Sequence, residues 1–174
     1  MQEIRNEIAD SIKAFKLPEY ETIPNVGLYL EQVTKYIAEY LEPLESMVIT
    51  GSMIGNYVKK HLIDNPVKKQ YYREQIAYLI FIAVAKSVLS LEDIQLLIDM
   101  KKRTYDSKTA YGYFCRDFED VLYYVFGLKD SLEPIEKGST DAKTMLRNTI
   151  MTVAHKIYLD KYFARYMEVM KEEQ

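Results

Sequence analysis

Cysteine is almost missing from this chain. Cys115 stands alone among 174 residues, so no intrachain disulfide can form, and a reducing, cytoplasmic setting is expected. Tryptophan is absent, histidine occurs twice, proline five times and glycine six times. His61 and His155 have no carboxylate or cysteine at ligand spacing, so no metal centre is expected and both are read as structural. Scarce glycine and proline leave long stretches without a breaker, as in a chain built mainly from helices. Long hydrophobic runs are also missing. The most apolar stretch, Ile76 to Leu91, is too short to cross a bilayer and is interrupted by Lys86, so no membrane partner is expected. The opening MQEIRNEIAD has no basic stretch leading into an apolar one, and no signal peptide is expected. TGSMIG lacks the Gly-Lys-Ser/Thr ending of a phosphate loop. No nucleophile sits with a base at a defensible spacing, so neither an enzyme nor a cofactor is expected.

What is present points to a packed helical protein. Hydrophobic residues make up 48% and charged residues 28% of the chain, enough apolar surface for a core and unlike a disordered composition. Sixteen tyrosines supply apolar bodies with polar tips, suited to core edges and contact surfaces. The net charge is -3, but its distribution is uneven: residues 1–46 hold nine acids against four bases. Residues 59–73 instead carry Lys59, Lys60, Lys68, Lys69 and Arg73 against the single acid Asp64. A local basic segment on an acidic chain suits contact with a polyanion at one place only.

Apolar spacing predicts an all-α chain of six or seven helices, with at most a very short hairpin at 64–72. Ile4, Ile8, Ile12 and Phe15 mark a first helix that ends before Pro18. A second is expected from Val26 to Leu41, on a stripe of Leu30, Val33, Ile37 and Leu41. Thr50 or Ser52 caps a third, with Ile54, Val58 and Leu62 inward and Tyr57 beside them. Ser52, Met53, Asn56, Lys59 and Lys60 then face outward. A fourth helix spans roughly 73–88, and Ser90 caps a fifth with Glu92 and Asp93 in its first turn. The polar string KKRTYDSKT reads as a connector. Beyond it come an aromatic helix ending near Gly127 and a long last helix from Thr140 to about Met170. Asp117, Glu119 and Asp120 read as a solvated face and not as a calcium site. Cys115, among aromatics, is read as packed.

The string MIGNYVKKHLIDNP, followed by KKQYYREQIAYLIFI and SLEDIQLLI, resembles the DNA-binding domain of MerR-type transcription regulators. Leu62, Ile63 and Pro66 fall near that family's Leu-Ile-x-Pro-like element, and Tyr71 at its wing. Leu79, Phe81 and Ile82 fall on its third-helix pattern, and Ser90 to Ile94 on its Ser-Leu-Glu opening. Gly55 stands where the family usually carries an arginine. IPNVGLYLEQVTKYI, joined to MIGNYVKK, is similar to a bacterial family of unknown function, DUF1836. The likeness runs over about 23–98.

The resemblance implies a MerR-like helix-turn-helix domain over 23–100. An N-terminal helix and linker (1–22) precede it, and a C-terminal helical region (101–174) follows for dimerisation or effector binding. It implies a sequence-specific regulator that binds double-stranded DNA as a homodimer and answers to a small-molecule effector. The residue chemistry supports the same surface. Asn56 can bond an adenine edge in two places, Lys59 and Lys60 can reach guanine or phosphate, and Ser52 can take either. Lys68, Lys69, Tyr71 and Arg73 would hold the backbone from the wing. Gly51 and Ser52, opening the third helix, would let a phosphate approach its N-terminus. Ile150, Ile157 and Met167 mark the expected dimer face, and the tyrosines and phenylalanines of 105–126 could line a ligand pocket. A second class of function stands beside this one: a protein-interaction or scaffold module that keeps the helix-turn-helix fold without binding DNA.

Overall fold

A computed structural model describes residues 2–172. Among them the chain forms seven α-helices and a two-stranded sheet. Helix α1 (Gln2–Ile12) buries Ile4, Ile8 and Ile12, one side chain per turn on a single face. The chain then lies across a later helix: Tyr123 Oη donates to the Phe15 carbonyl at 2.7 Å, and the Leu17 N–H donates to Glu119 at 3.0 Å.

Strand β1 (Leu28–Tyr29) replaces the first turn expected of the second helix. Gly27 permits the change, because it holds φ 78° and a Cβ there would meet the Gln70 side chain at 3.0 Å. The backbone of 28–29 pairs antiparallel with β2 (Gln70–Tyr71), Leu28 opposite Tyr71 and Tyr29 opposite Gln70. Helix α2 therefore starts at Leu30 and runs to Leu41, with Val33, Ile37 and Leu41 buried. Gln32 Oε1 accepts the Tyr29 N–H at 2.9 Å, satisfying a donor at the helix entrance.

Residues 42–50 carry the chain to α3 (Gly51–Lys59), and Pro43 sits in a short 3-10 turn at their start. Gly51 packs close: a Cβ there would stand 3.0 Å from Leu30 Cδ2. Its lack of a side chain thus serves the α2–α3 contact, where the sequence had suggested room for a phosphate.

Helix α4 (Arg73–Ala85) buries residues on every side, including Ile76, Leu79, Ile80, Ile82 and Val84. An all-round apolar helix belongs at the centre of a bundle, and α4 packs against α2, α6 and α7. Helix α5 (Leu91–Lys102) is capped by Ser90 Oγ, which accepts the Asp93 N–H at 3.1 Å. The expected long connector shrinks to 103–106, since α5 runs through Lys102 and α6 (Ser107–Val125) is capped by Asp106. Gly127, at φ 74°, ends α6 in the left-handed conformation. There Gly127 N donates to the Tyr124 carbonyl and Leu128 N to that of Tyr123, the paired bonds of a Schellman ending.

Helix α7 (Asp141–Glu172) packs along α6, α5 and α1. One contiguous core runs from Ile4 to Ile157. One expectation for α7 needs correcting. Ile150 and Ile157 are buried inside the chain and cannot form a dimer face. Met167 and Met170 are exposed because they lie on the outer side of the last turns, whose inner side packs on the core through Tyr162 and Val169. The acids of α6 are not a freely solvated face either. Asp117 takes both arms of Arg147 on α7 at 3.0 and 3.1 Å, Glu119 accepts from Lys16, and Asp120 pairs with Lys129. No helix among the described residues is long and apolar enough to cross a membrane.

Candidate nucleic-acid interface

Helix α3 forms because Thr50 caps it, its Oγ1 accepting the Met53 N–H at 3.2 Å. Ile54 and Tyr57 are buried beneath it and Val58 is half-buried. The opposite side exposes Ser52, Asn56, Lys59 and Lys60. Gly55 lies on the same outer side, with nothing within 4 Å of where its Cβ would be. Met53 differs from expectation: it is half-buried, and Lys86 Nζ donates to its Sδ at 3.1 Å and to the Val48 carbonyl at 2.6 Å. Partial burial holds the Lys86 ammonium below the usual lysine range. Lys60 stands 3.5 Å from Glu92 on α5, with both side chains largely in solvent. Such a pair contributes at most about 1 kcal/mol and is screened by salt.

The exit from α3 is sharp. His61 adopts φ 60°, its N–H donates to the Val58 carbonyl, and Leu62 N donates to that of Tyr57. This is the same Schellman ending as in α6, with histidine where glycine is usual, and it drops Leu62 and Ile63 into the core.

A two-residue hairpin follows. Val67 N donates to the Gln70 carbonyl at 3.0 Å and Gln70 N to that of Val67 at 2.9 Å. Its tip is Lys68-Lys69, at φ 51° and 66°. Positive φ at both central positions marks a type I′ turn, which favours Asn-Gly. Lysine there costs on the order of 1 kcal/mol per residue. Both lysines are exposed, and neither makes an ion pair among the described residues.

The structure withdraws two residues from the predicted set. Tyr71, in β2, is 5% exposed and belongs to the core, so it cannot hold a phosphate. Arg73 is occupied within the chain. Its Nε donates to the Ile23 carbonyl at 2.9 Å, Nη1 to the Glu21 carboxylate at 2.7 Å and Nη2 to the Glu21 carbonyl at 3.0 Å. That fork fastens 21–23 to the start of α4. Glu21 also receives Lys108 at 2.6 Å, which holds its carboxyl below the usual range.

Gln75 is the residue the sequence reading missed. Its Oε1 accepts the Tyr72 N–H at 2.9 Å, while Nε2 donates to the carbonyls of Asp64 at 3.0 Å and Asn65 at 3.3 Å. One buried amide thereby ties the hairpin stem to α4. A glutamine three residues after a helix cap is the available signal, and Gln32 repeats it on α2.

The model of one family, described as Domain of unknown function (DUF1836), matches residues 18–114. The chain belongs to that family. No curated protein and no solved structure matches it. The DUF1836 match takes in α2, α3, the hairpin, α4 and α5, and ends within α6. Ser52, Asn56, Lys59, Lys60, Lys68 and Lys69 all lie inside it.

Proposed function

We propose that this chain is a sequence-specific transcription regulator of MerR-like type that binds double-stranded DNA. The observation that carries the reading is the Lys68-Lys69 tip: two exposed cations held in a backbone conformation that lysine adopts at a cost. Strained, solvent-facing positions of this kind concentrate at functional sites. A hairpin tip with two exposed ammoniums suits a phosphate backbone. The outer face of α3, only a short stem away in sequence, offers Ser52, Asn56, Lys59 and Lys60 to base edges. Tyr71 and Arg73 have no part in this interface.

Electrophoretic shift assays on selected genomic fragments at several salt concentrations test it. The unmodified chain is expected to bind duplex with an affinity that falls steeply with salt. Lys59→Ala with Lys60→Ala is expected to weaken binding. A chain with no salt-dependent affinity for any duplex would transfer the argument to the interaction-module reading, which the net charge of -3 favours.

A homodimer belongs to the same proposal, because two copies double the contacts on a palindromic site. The face we assign to it is the outer side of the C-terminal half of α7, where Leu159, Phe163 and Met167 are each about half exposed, at 49%, 57% and 59%. Phe163→Glu with Met167→Glu leaves the core untouched and is expected to turn a dimer into a monomer in sedimentation velocity. An unmodified chain already monomeric at protein concentrations well above cellular levels removes the dimer and leaves DNA binding standing.

A further inference from the structure

A cavity of about 80 Å³ opens where α4, α5, α6 and α7 meet. Its walls are aromatic and aliphatic: Phe81 and Tyr78 from α4, Tyr105 from the α5–α6 connector, Tyr113 and Phe114 from α6, and Leu97 from α5. Rings meet edge to face around it, Phe81 with Phe114 at 5.3 Å and Tyr105 with Tyr113 at 5.4 Å. The charged lining is of mixed sign, with Lys101 and Lys143 against Glu74.

Lys101 decides what this cavity takes. Its ammonium donates to Tyr78 Oη and to Ser107 Oγ, both at 2.9 Å, and lies 5.0 Å from the centre of the Tyr78 ring. No carboxylate pairs with it among the described residues. Lys143 lies 4.9 Å from the Tyr113 ring centre, and its carboxylate neighbour is the exposed Glu136, 3.5 Å away. Glu74 is engaged by the Ser107 hydroxyl. Two ammoniums therefore stand beside an aromatic-walled space, and Lys101 reaches the Glu74 carboxylate through the Ser107 hydroxyl, with no direct ion pair among the described residues.

We propose that this cavity is a binding site for a small aromatic carboxylic acid, its ring between α4 and α6 and its carboxylate on Lys101 and Lys143. Size sets the orientation. An apolar cavity of roughly 150 Å³ encloses benzene, so a ring enters this one only in part and the carboxylate stays at the mouth with the two ammoniums. Edge-to-face contact with surrounding rings favours a planar aromatic over an alkyl chain. A charge-assisted bond from lysine separates an acid from its neutral analogue.

Benzoate and benzyl alcohol are the probes, followed by two-dimensional ¹H–¹⁵N NMR titration of the full chain. Benzoate is expected to shift resonances around Ala77, Ile98, Ala110 and Ala142 with a dissociation constant of about 1 mM or tighter. Benzyl alcohol is expected to bind the same place roughly tenfold more weakly. Lys101→Met should bring benzoate down to the alcohol's level. Ala110→Trp, at a half-exposed wall position, should abolish both while the rest of the spectrum stays in place. Absence of shifts at these positions, or benzoate binding that Ala110→Trp leaves intact, overturns the site. Equal binding of acid and alcohol to the unmodified chain overturns the carboxylate. Because no DNA enters the measurement, failure of the DNA reading leaves this inference untouched.

Discussion

Replacing Lys68 and Lys69 by Asn and Gly is expected to stabilise the fold and to weaken its hold on DNA in the same molecule. The turn keeps both central residues at positive φ, where a lysine Cβ crowds the backbone and asparagine or glycine does not. Relief at two positions is expected to raise the unfolding free energy by about 2 kcal/mol in urea melts, since each contributes on the order of 1 kcal/mol. Both side chains point to solvent, so no core contact is lost to offset the gain. On DNA the sign reverses. Two phosphate contacts removed should lower affinity for all sequences alike and flatten the log-log salt dependence by about two units. Lys68→Gln with Lys69→Gln separates the causes: it keeps the strained backbone, so stability should hardly move while the salt slope falls equally. A stabilised Asn-Gly variant with unaltered salt dependence would remove the hairpin from the interface.

Most helices could be read from the sequence because their signals are local. Ile4, Ile8 and Ile12 declare a face by spacing alone, and Ser90 with Glu92 and Asp93 declares a helix start by capping and dipole. The short hairpin could be placed from Pro66 and the basic run but not built. Its type I′ geometry rests on Lys-Lys, a pair with no preference for that turn, held there by the flanking bonds and by Gln75. Strand β1 was hidden for a related reason. Nothing in Val26 to Tyr29 alternates, and only the long-range pairing with β2 makes those residues extended.

The candidate site divides along the same line. Exposure of Ser52, Asn56, Lys59 and Lys60 followed from helix geometry once Ile54 and Tyr57 were turned inward. The places of Tyr71 and Arg73 are not legible in the sequence, because residue type says nothing about a partner fifty residues away. The fork of Arg73 onto Glu21 and Ile23 is such a contact, and so is the burial of Tyr71 in the core. The end of α7 shows the converse: apolar residues continue to Met170, but Tyr162 and Val169 take the side that packs on the core and leave Met167 and Met170 exposed.

Asn56→Ala is expected to cost about 1–3 kcal/mol on the preferred site and almost nothing on random duplex, because it removes a base reader and leaves the phosphate contacts alone. Folding does not confuse the measurement. Asn56 is exposed in the middle of α3, and alanine is the better helix former there by a few tenths of a kcal/mol. Its neighbour gives the opposite result. Gly55 faces open space, so Gly55→Arg should meet no clash and should stabilise α3 by about 0.5–1 kcal/mol. The new guanidinium stands beside Asn56 and one turn from Lys59, so it should add a phosphate contact, strengthen binding to every duplex several-fold and steepen the salt slope by about one unit. Shift assays on a preferred fragment and a scrambled one, at three salt concentrations, read both variants. The specificity ratio should collapse for Asn56→Ala and hold for Gly55→Arg. If Asn56→Ala weakens the two fragments equally, α3 touches only backbone. If Gly55→Arg changes the stability but not the binding, α3 does not face the DNA at all.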